Sequence, residues 1–200
     1  MSVREYLSVF ISIIVGLAVA DPLISLHRLI RMGSRVHWYW LVPALAFYLL
    51  LVIVAFWWGT YWWLGHVNSL SMAQFLPTLM VAITIFLLAA AVLPDEFPER
   101  ELDLKAWYLE NASQIWILAS IALSVTIING GAFLVTILKD SGSFSWPHWG
   151  QRFLLSEWDN LISLAAYIWL IFTKRLRVHE ACVIIGLIDM IYSAATFTIG

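Results

Sequence analysis

The sequence predicts an all-α integral membrane protein, a bundle of six transmembrane helices that forms a single domain over residues 1–200. Of the 200 residues, 62% are hydrophobic and 12% are charged, and the mean hydropathy is +0.86. A soluble domain carries about 25% charged residues and about 45–50% apolar ones. The composition therefore matches a lipid environment, and the alternating segments of a membrane β-barrel are absent from the sequence.

Six apolar runs are long enough to cross the hydrocarbon core, which needs roughly 20 helical residues. They cover about 6–30, 39–63, 72–93, 112–138, 154–173 and 179–199. Because lipid offers no hydrogen-bond partners, each run must satisfy its own backbone groups and is predicted to be a helix. The acidic, proline-bracketed segment 94–105 is predicted to be a cytoplasmic linker between the third and fourth helices.

Lysine and arginine are divided unequally between the two ends of the predicted bundle. Eight of the eleven lie in the connections after the first, third and fifth helices, and the other three lie on the opposite side. Cytoplasmic loops are enriched in these residues, so both termini are predicted outside the cytoplasm, with the protein in the plasma (inner) membrane. Cleavage after Ala20 would leave the arginines that follow on the translocated side, so we expect the first helix to be retained.

The twelve tryptophans are predicted to form interfacial aromatic belts, because most of them lie near helix ends. An aromatic lining for a solute path at the outer end of the second helix is the alternative, and it would use the same residues.

The first helix carries an aspartate-proline pair, Asp21-Pro22, about six residues from its predicted cytoplasmic end. An acid at mid-membrane costs about 2.5–3.5 kcal/mol on insertion scales, and such residues normally face a bundle interior or a wet cavity. We expect one kinked spanning helix. In the alternative, Asp21 caps a separate interfacial helix over residues 22–32, since Asp followed by Pro is a good N-terminal pair.

Asp189 lies in the middle of the last apolar run, in VIIGLIDMIYSAATF, and no proline follows it. Intramembrane acids are functional candidates by default, and a carboxyl hydrogen-bonded to a neighbouring helix is the structural alternative. Asn129 is followed by Gly130-Gly131 within the fourth run. This stretch predicts either a broken helix that lines a cavity or a close contact between two helices.

Arg28, Arg31 and Arg35 form a basic cluster that follows the first span, where we expect it to bind anionic lipid or a protein partner. Small residues recur every fourth position in the first and last helices, and such seams predict either internal packing or a homo-oligomer. The chain also divides into two three-helix halves, which would be inverted relative to each other. Inverted repeats are frequent in transporters, although six helices of similar length produce the same arithmetic by chance.

Several classes of site are not predicted by this sequence. The net charge is −2, which gives no basic field for nucleic acid. Cys182 is the only cysteine, which excludes an intramolecular disulfide and a cysteine-based metal site. We find no recognisable nucleophile, catalytic set, metal-ligand set or cofactor motif, so we expect no enzyme and no cofactor.

Two functions from different classes remain. The first is a small channel or secondary transporter for a proton, a cation or a small polar solute. In this hypothesis Asp21 and Asp189 share an interior cavity as ion or proton sites, and Asn129 supplies a neutral contact. The second is a membrane subunit, sensor or scaffold without transport, which binds a partner or lipid through its seams and basic cluster.

Overall fold

The computed structural model describes residues 3–66, 71–95 and 101–196, and it shows six α-helices in that part of the chain. They are α1 (Val3–Met32), α2 (Leu41–His66), α3 (Met72–Ala91), α4 (Leu104–Asp140), α5 (Trp146–Phe172) and α6 (Leu176–Thr196). A 3-10 turn over Gly33–Arg35 and two short strands, β1 (Val36–His37) and β2 (Leu102–Asp103), complete the described elements. The predicted all-helical class is confirmed.

Five of these helices, α1 to α4 and α6, are long and apolar enough to cross a membrane. Helix α5 is 27 residues long, which corresponds to about 40 Å at 1.5 Å per residue. Its first half carries Arg152, Glu157 and Asp159, and α5 is not among the helices that meet the apolarity requirement. The composition of the helices thus supports five of the six predicted spans.

Helix α1 runs without interruption from Val3 to Met32, with Pro22 inside it. Asp21 therefore does not cap a separate interfacial helix. Proline lacks a backbone N–H and removes one hydrogen bond from a helix interior. The arrangement agrees with the single spanning helix expected from the apolar run.

Helices α4 and α5 begin about two turns earlier than predicted because polar caps precede their apolar runs. Asp103 accepts hydrogen bonds from the backbone N–H groups of Lys105 and Ala106 at 2.8 and 3.2 Å, which starts α4 at Leu104 rather than near 112. Ser145 caps α5 in the same manner, with its hydroxyl 3.4 Å from the backbone nitrogen of His148. The predicted linker 94–105 is shortened accordingly at its end, and its residues 96–100 lie outside the described part of the chain.

The six helices pack as a ring in the order α1, α2, α6, α5, α4 and α3, with α3 returning to α1. The contact between α5 and α6 is the lightest of the ring. The main hydrophobic core lies where α1, α2, α3 and α4 meet the first turns of α6 and the last turn of α5. Its most deeply buried side chains include Leu29, Leu41, Leu104, Ile115 and Leu170.

The connections after α1, α3 and α5 meet at one end of the ring. Strand β1 pairs in parallel with β2, in a register that places Val36 opposite Leu102. The Tyr39 hydroxyl donates to Glu180 Oε1 at 2.8 Å and joins the α1–α2 connection to the start of α6. Burial and the neighbouring Glu180 carboxylate raise the pKa of Tyr39 above its usual range, which keeps this donor protonated.

Candidate functional site: a cavity between five helices

A cavity of about 260 Å³ lies inside the ring, between α2, α3, α4, α5 and α6. Helix α1 contributes none of the described residues that line it. Aliphatic side chains from α2, α3 and α4 form much of the wall, including Leu45, Val52, Ile85, Leu88 and Leu123. Because ligand sites are mostly apolar concavities with a few placed polar groups, this cavity is the default candidate for a binding site.

The polar wall of the cavity is formed by α5 and α6. Asp159, Asn160 and Ser163 line it from α5, and Asp189 lines it from α6. Both aspartates are exposed, and they lie on α5 and α6, whose mutual contact is the lightest of the ring. The described lining contains two carboxylates and no lysine, arginine or histidine.

Asp189 has no hydrogen bond or ion pair with any other described residue. It lies within electrostatic range of the Tyr48 and Tyr167 hydroxyls, which also line the cavity. A carboxylate in a membrane-spanning helix is costly unless a proton, a cation, water or a hydrogen-bond donor compensates its charge. The structural alternative, in which Asp189 is hydrogen-bonded to a neighbouring helix, is not seen among the described residues.

Aromatic side chains form the wall nearest the α4–α5 contact. The hydroxyls of Tyr48 and Tyr167 are 2.7 Å apart, and the rings of Trp116 and Tyr167 have centroids 5.0 Å apart. In a pair of hydroxyls one O–H donates to the other oxygen, so one proton remains for a further acceptor. No further hydrogen bond of either hydroxyl is found in the described part of the chain.

A buried hydrogen-bond cluster fixes the orientation of the Trp116 ring. Trp116 Nε1 lies 3.0 Å from both Tyr108 Oη and His179 Nδ1, and these two atoms are 2.7 Å apart. His179 Nε2 lies 3.0 Å from the Thr173 carbonyl oxygen. Because a carbonyl only accepts, Nε2 must carry a proton, which leaves Nδ1 to accept in a neutral imidazole.

No family model, curated protein or solved structure matches this chain.

The two aspartates singled out from the sequence lie at separate places in the fold. Asp21 lies on α1, half-buried, and interacts electrostatically with Asp95 and Arg28. It is not among the residues that line the cavity of Asp189. The two carboxylates therefore do not share this cavity, because none of its described lining residues comes from α1.

Asn129 belongs to a second cavity, of about 460 Å³, between α2, α3 and α4. Its side-chain oxygen accepts a hydrogen bond from the Thr78 hydroxyl at 3.1 Å. Helix α4 is continuous through Gly130 and Gly131. These glycines instead allow α5 to pack closely against α4. A Cβ on Gly130 would collide with the Glu157 carboxylate, and a Cβ on Gly131 would lie 3.1 Å from the Phe153 ring. The close helix contact is thus the correct alternative for this stretch.

The basic cluster lies at the end of α1 and in the turn that follows it. Arg28, Arg31 and Arg35 are all exposed, with Arg35 closing the 3-10 turn. This placement is compatible with contact to lipid headgroups.

Sequence reasoning missed most of the cavity's polar and aromatic groups. Asp159 carries the same signal as Asp189, an acid inside a predicted span, and could have been selected by the same rule. The sequence gives no comparable reason to select His179 or Trp116. A histidine in the first turn of a helix and a tryptophan inside a membrane span are both common. Only their burial, 2% exposed for each, identifies them as a cluster.

Proposed function

We propose that this chain is an integral membrane transporter or channel for a small cationic or polar solute. Its solute site is the cavity of about 260 Å³ that α2, α3, α4, α5 and α6 enclose. The observation that carries the proposal is the Asp189 carboxylate, which has no hydrogen bond or ion pair among the described residues and lines a cavity from a helix apolar enough to cross a membrane. Intramembrane acids that face a cavity typically mark ion and solute paths. In this proposal Asp189 is the principal cation or proton site and Asp159 the second.

The proposal includes six spans, with α5 crossing the membrane beside α4. Trp149 Nε1 donates to the Gly131 carbonyl at 3.1 Å near the start of α5, and Tyr167 contacts Trp116 near its end. Helix α5 therefore runs antiparallel along α4 over most of its length. Because its polar residues Asp159 and Asn160 line the cavity, the low apolarity of α5 is expected for a helix that faces a solute path.

The test is solute flux into proteoliposomes that contain the purified full-length protein. We expect wild-type vesicles to accumulate a small cation, or to dissipate a proton gradient, faster than empty vesicles. Asp189→Asn keeps the side-chain shape and removes the charge, so it should reduce flux by about tenfold or more. Glu110→Gln is the matched control, because it removes an exposed carboxylate from α4 outside the cavity and should leave flux unchanged. Equal flux through wild-type and empty vesicles would reject the proposal.

A membrane subunit without transport activity is the second candidate. The continuity of α1 through Pro22 and of α4 through Gly130 favours it, because secondary transporters commonly bind solute at broken helices. In this case the exposed arginines at the end of α1 would contact anionic lipid or a partner. Tight vesicles with no flux of protons, inorganic cations or amines would favour this candidate over the first.

A further inference from the structure

We propose that the cavity enclosed by α2, α3, α4, α5 and α6 selects a compact organic ammonium ion. Such an ion is a protonated amine whose body is apolar or aromatic. The inference rests on the proposed function in one respect, that this cavity is the solute site. It adds the substrate class, which follows from how charge, aromatic faces and aliphatic surface are distributed over the wall.

Charge selects a cation at the polar wall. Asp159 and Asp189 line the cavity, and its described lining contains no basic side chain. An anion there would meet two like charges, whereas a cation would compensate the Asp189 carboxylate, which has no ion pair among the described residues.

Hydrogen-bond chemistry matches an ammonium group. A primary ammonium has three N–H donors and no acceptor. The α5 side of the wall offers the carboxylate of Asp159, the amide oxygen of Asn160 and the hydroxyl oxygen of Ser163, and Asp189 faces them from α6. These oxygens are acceptors of the kind that a bound ammonium requires.

The remainder of the wall matches an apolar or aromatic body. Trp116 lines the cavity while its N–H edge is held by Tyr108 and His179, so its orientation is fixed before a ligand arrives. Phe56 and Tyr167 add further aromatic surface, and aliphatic side chains of α2, α3 and α4 add apolar surface. Aromatic faces attract organic cations by cation–π contacts, and the effect is larger where the cation is desolvated.

A bare divalent metal ion fits this wall less well. Calcium takes six to eight oxygen ligands and magnesium keeps several waters. Within the described residues no three His, Cys, Asp or Glu side chains converge as a metal site. The mostly aliphatic lining provides few ligands for a hydrated ion. The same lining would bury the carbon body of an amine, which is favourable because apolar surface leaves water.

The experiment is isothermal titration of the full-length protein in lipid nanodiscs with 2-phenylethylammonium. Two probes of the same shape are run beside it, neutral 2-phenylethanol and anionic phenylacetate. We expect the ammonium to bind, with affinity about tenfold or more above the neutral probe, and phenylacetate not to bind. Asp189→Asn and Asp159→Asn should each lower the affinity for the ammonium and leave that for the alcohol unchanged. Glu110→Gln should leave both unchanged.

The outcomes separate this inference from the proposed function. Binding of the ammonium without any flux would support the amine site and reject transport. Cation flux that excess 2-phenylethylammonium does not inhibit, with no binding by titration, would reject the amine site and leave transport standing. Equal affinity for the ammonium and the alcohol, or full binding by the folded Asp159→Asn and Asp189→Asn variants, would also overturn the inference.

Discussion

The indole of Trp116 contacts both a buried hydrogen-bond cluster and the cavity. Its N–H edge completes a cluster with Tyr108, which is 0% exposed, and with His179, while its ring lines the cavity. Each polar atom of the cluster can be satisfied with His179 neutral: Nε2 donates to Thr173, and Nδ1 accepts from Tyr108 or Trp116. The cluster therefore positions a cavity wall without placing a charge in the core.

Replacement of His179 tests the cluster. His179→Leu leaves the Thr173 carbonyl without its donor and the Tyr108 hydroxyl without its acceptor, so we expect a loss of about 1–3 kcal/mol in the free energy of unfolding. Tyr108→Phe should cost less, because Trp116 can still donate directly to His179 Nδ1 at 3.0 Å. Thermal unfolding of the purified protein in detergent measures both. The exposed His27→Leu is the control, and an equal effect there would contradict the assignment.

Helices α4 and α5 meet at a pair of glycines. Gly130 faces the carboxylate of Glu157, which is hydrogen-bonded by Asn160 at 2.8 Å, and Gly131 faces the ring of Phe153. Since Asn160 also lines the cavity, the glycine contact sets how near the polar wall on α5 lies to α4. Small residues permit this close approach of two helix backbones in lipid.

A larger side chain at Gly131 should separate the two helices. We expect Gly131→Leu to lower stability by about 1–3 kcal/mol through overpacking, because even a Cβ there would lie 3.1 Å from Phe153. Gly16→Leu on α1 is the matched control: no atom lies within 4 Å of a Cβ at that position, and leucine is the better helix former. Thermal unfolding midpoints compare the two, and the interpretation fails if both variants behave alike.

The described helices form a ring, and the described parts of the connections after α1, α3 and α5 meet at one end of it. Eight of the eleven lysines and arginines belong to the connections after the first, third and fifth helices and the turns beside them. The pairing of β1 with β2 and the Tyr39–Glu180 bond hold these connections together. With α5 antiparallel to α4, the ring predicts that both termini lie on the opposite side, outside the cytoplasm.

Reporter fusions test this topology. An enzyme active only outside the cytoplasm should be active when fused before Met1 or after Gly200, and inactive when inserted after Ser34, between α1 and α2. If α5 does not cross, the two ends lie on opposite sides of the membrane. Reporter activity at only one terminus would therefore show that the chain has five spans rather than six.

The fold class and the helices could be predicted because they depend on local properties of the chain. Apolar runs place helices in lipid, and backbone hydrogen bonding within each run requires no knowledge of its neighbours. Asp189 could be selected as a candidate for the same reason, as a charge inside an apolar run. The starts of α4 and α5 were predicted too late, because Asp103 and Ser145 extend both helices into polar sequence.

Tertiary structure decided which of these residues lie together. It separated Asp21 from Asp189, assigned Asn129 to another cavity, and brought Asp159 to the wall that Asp189 lines. It also assembled Tyr108, Trp116 and His179 from two helices, at sequence separations of up to 71 residues. The sequence by itself determined a helical chain with several segments apolar enough to cross a membrane, because transfer to lipid acts on each segment alone. The cavity depends on helix packing, which is a property of pairs of segments, so only the tertiary structure could decide it.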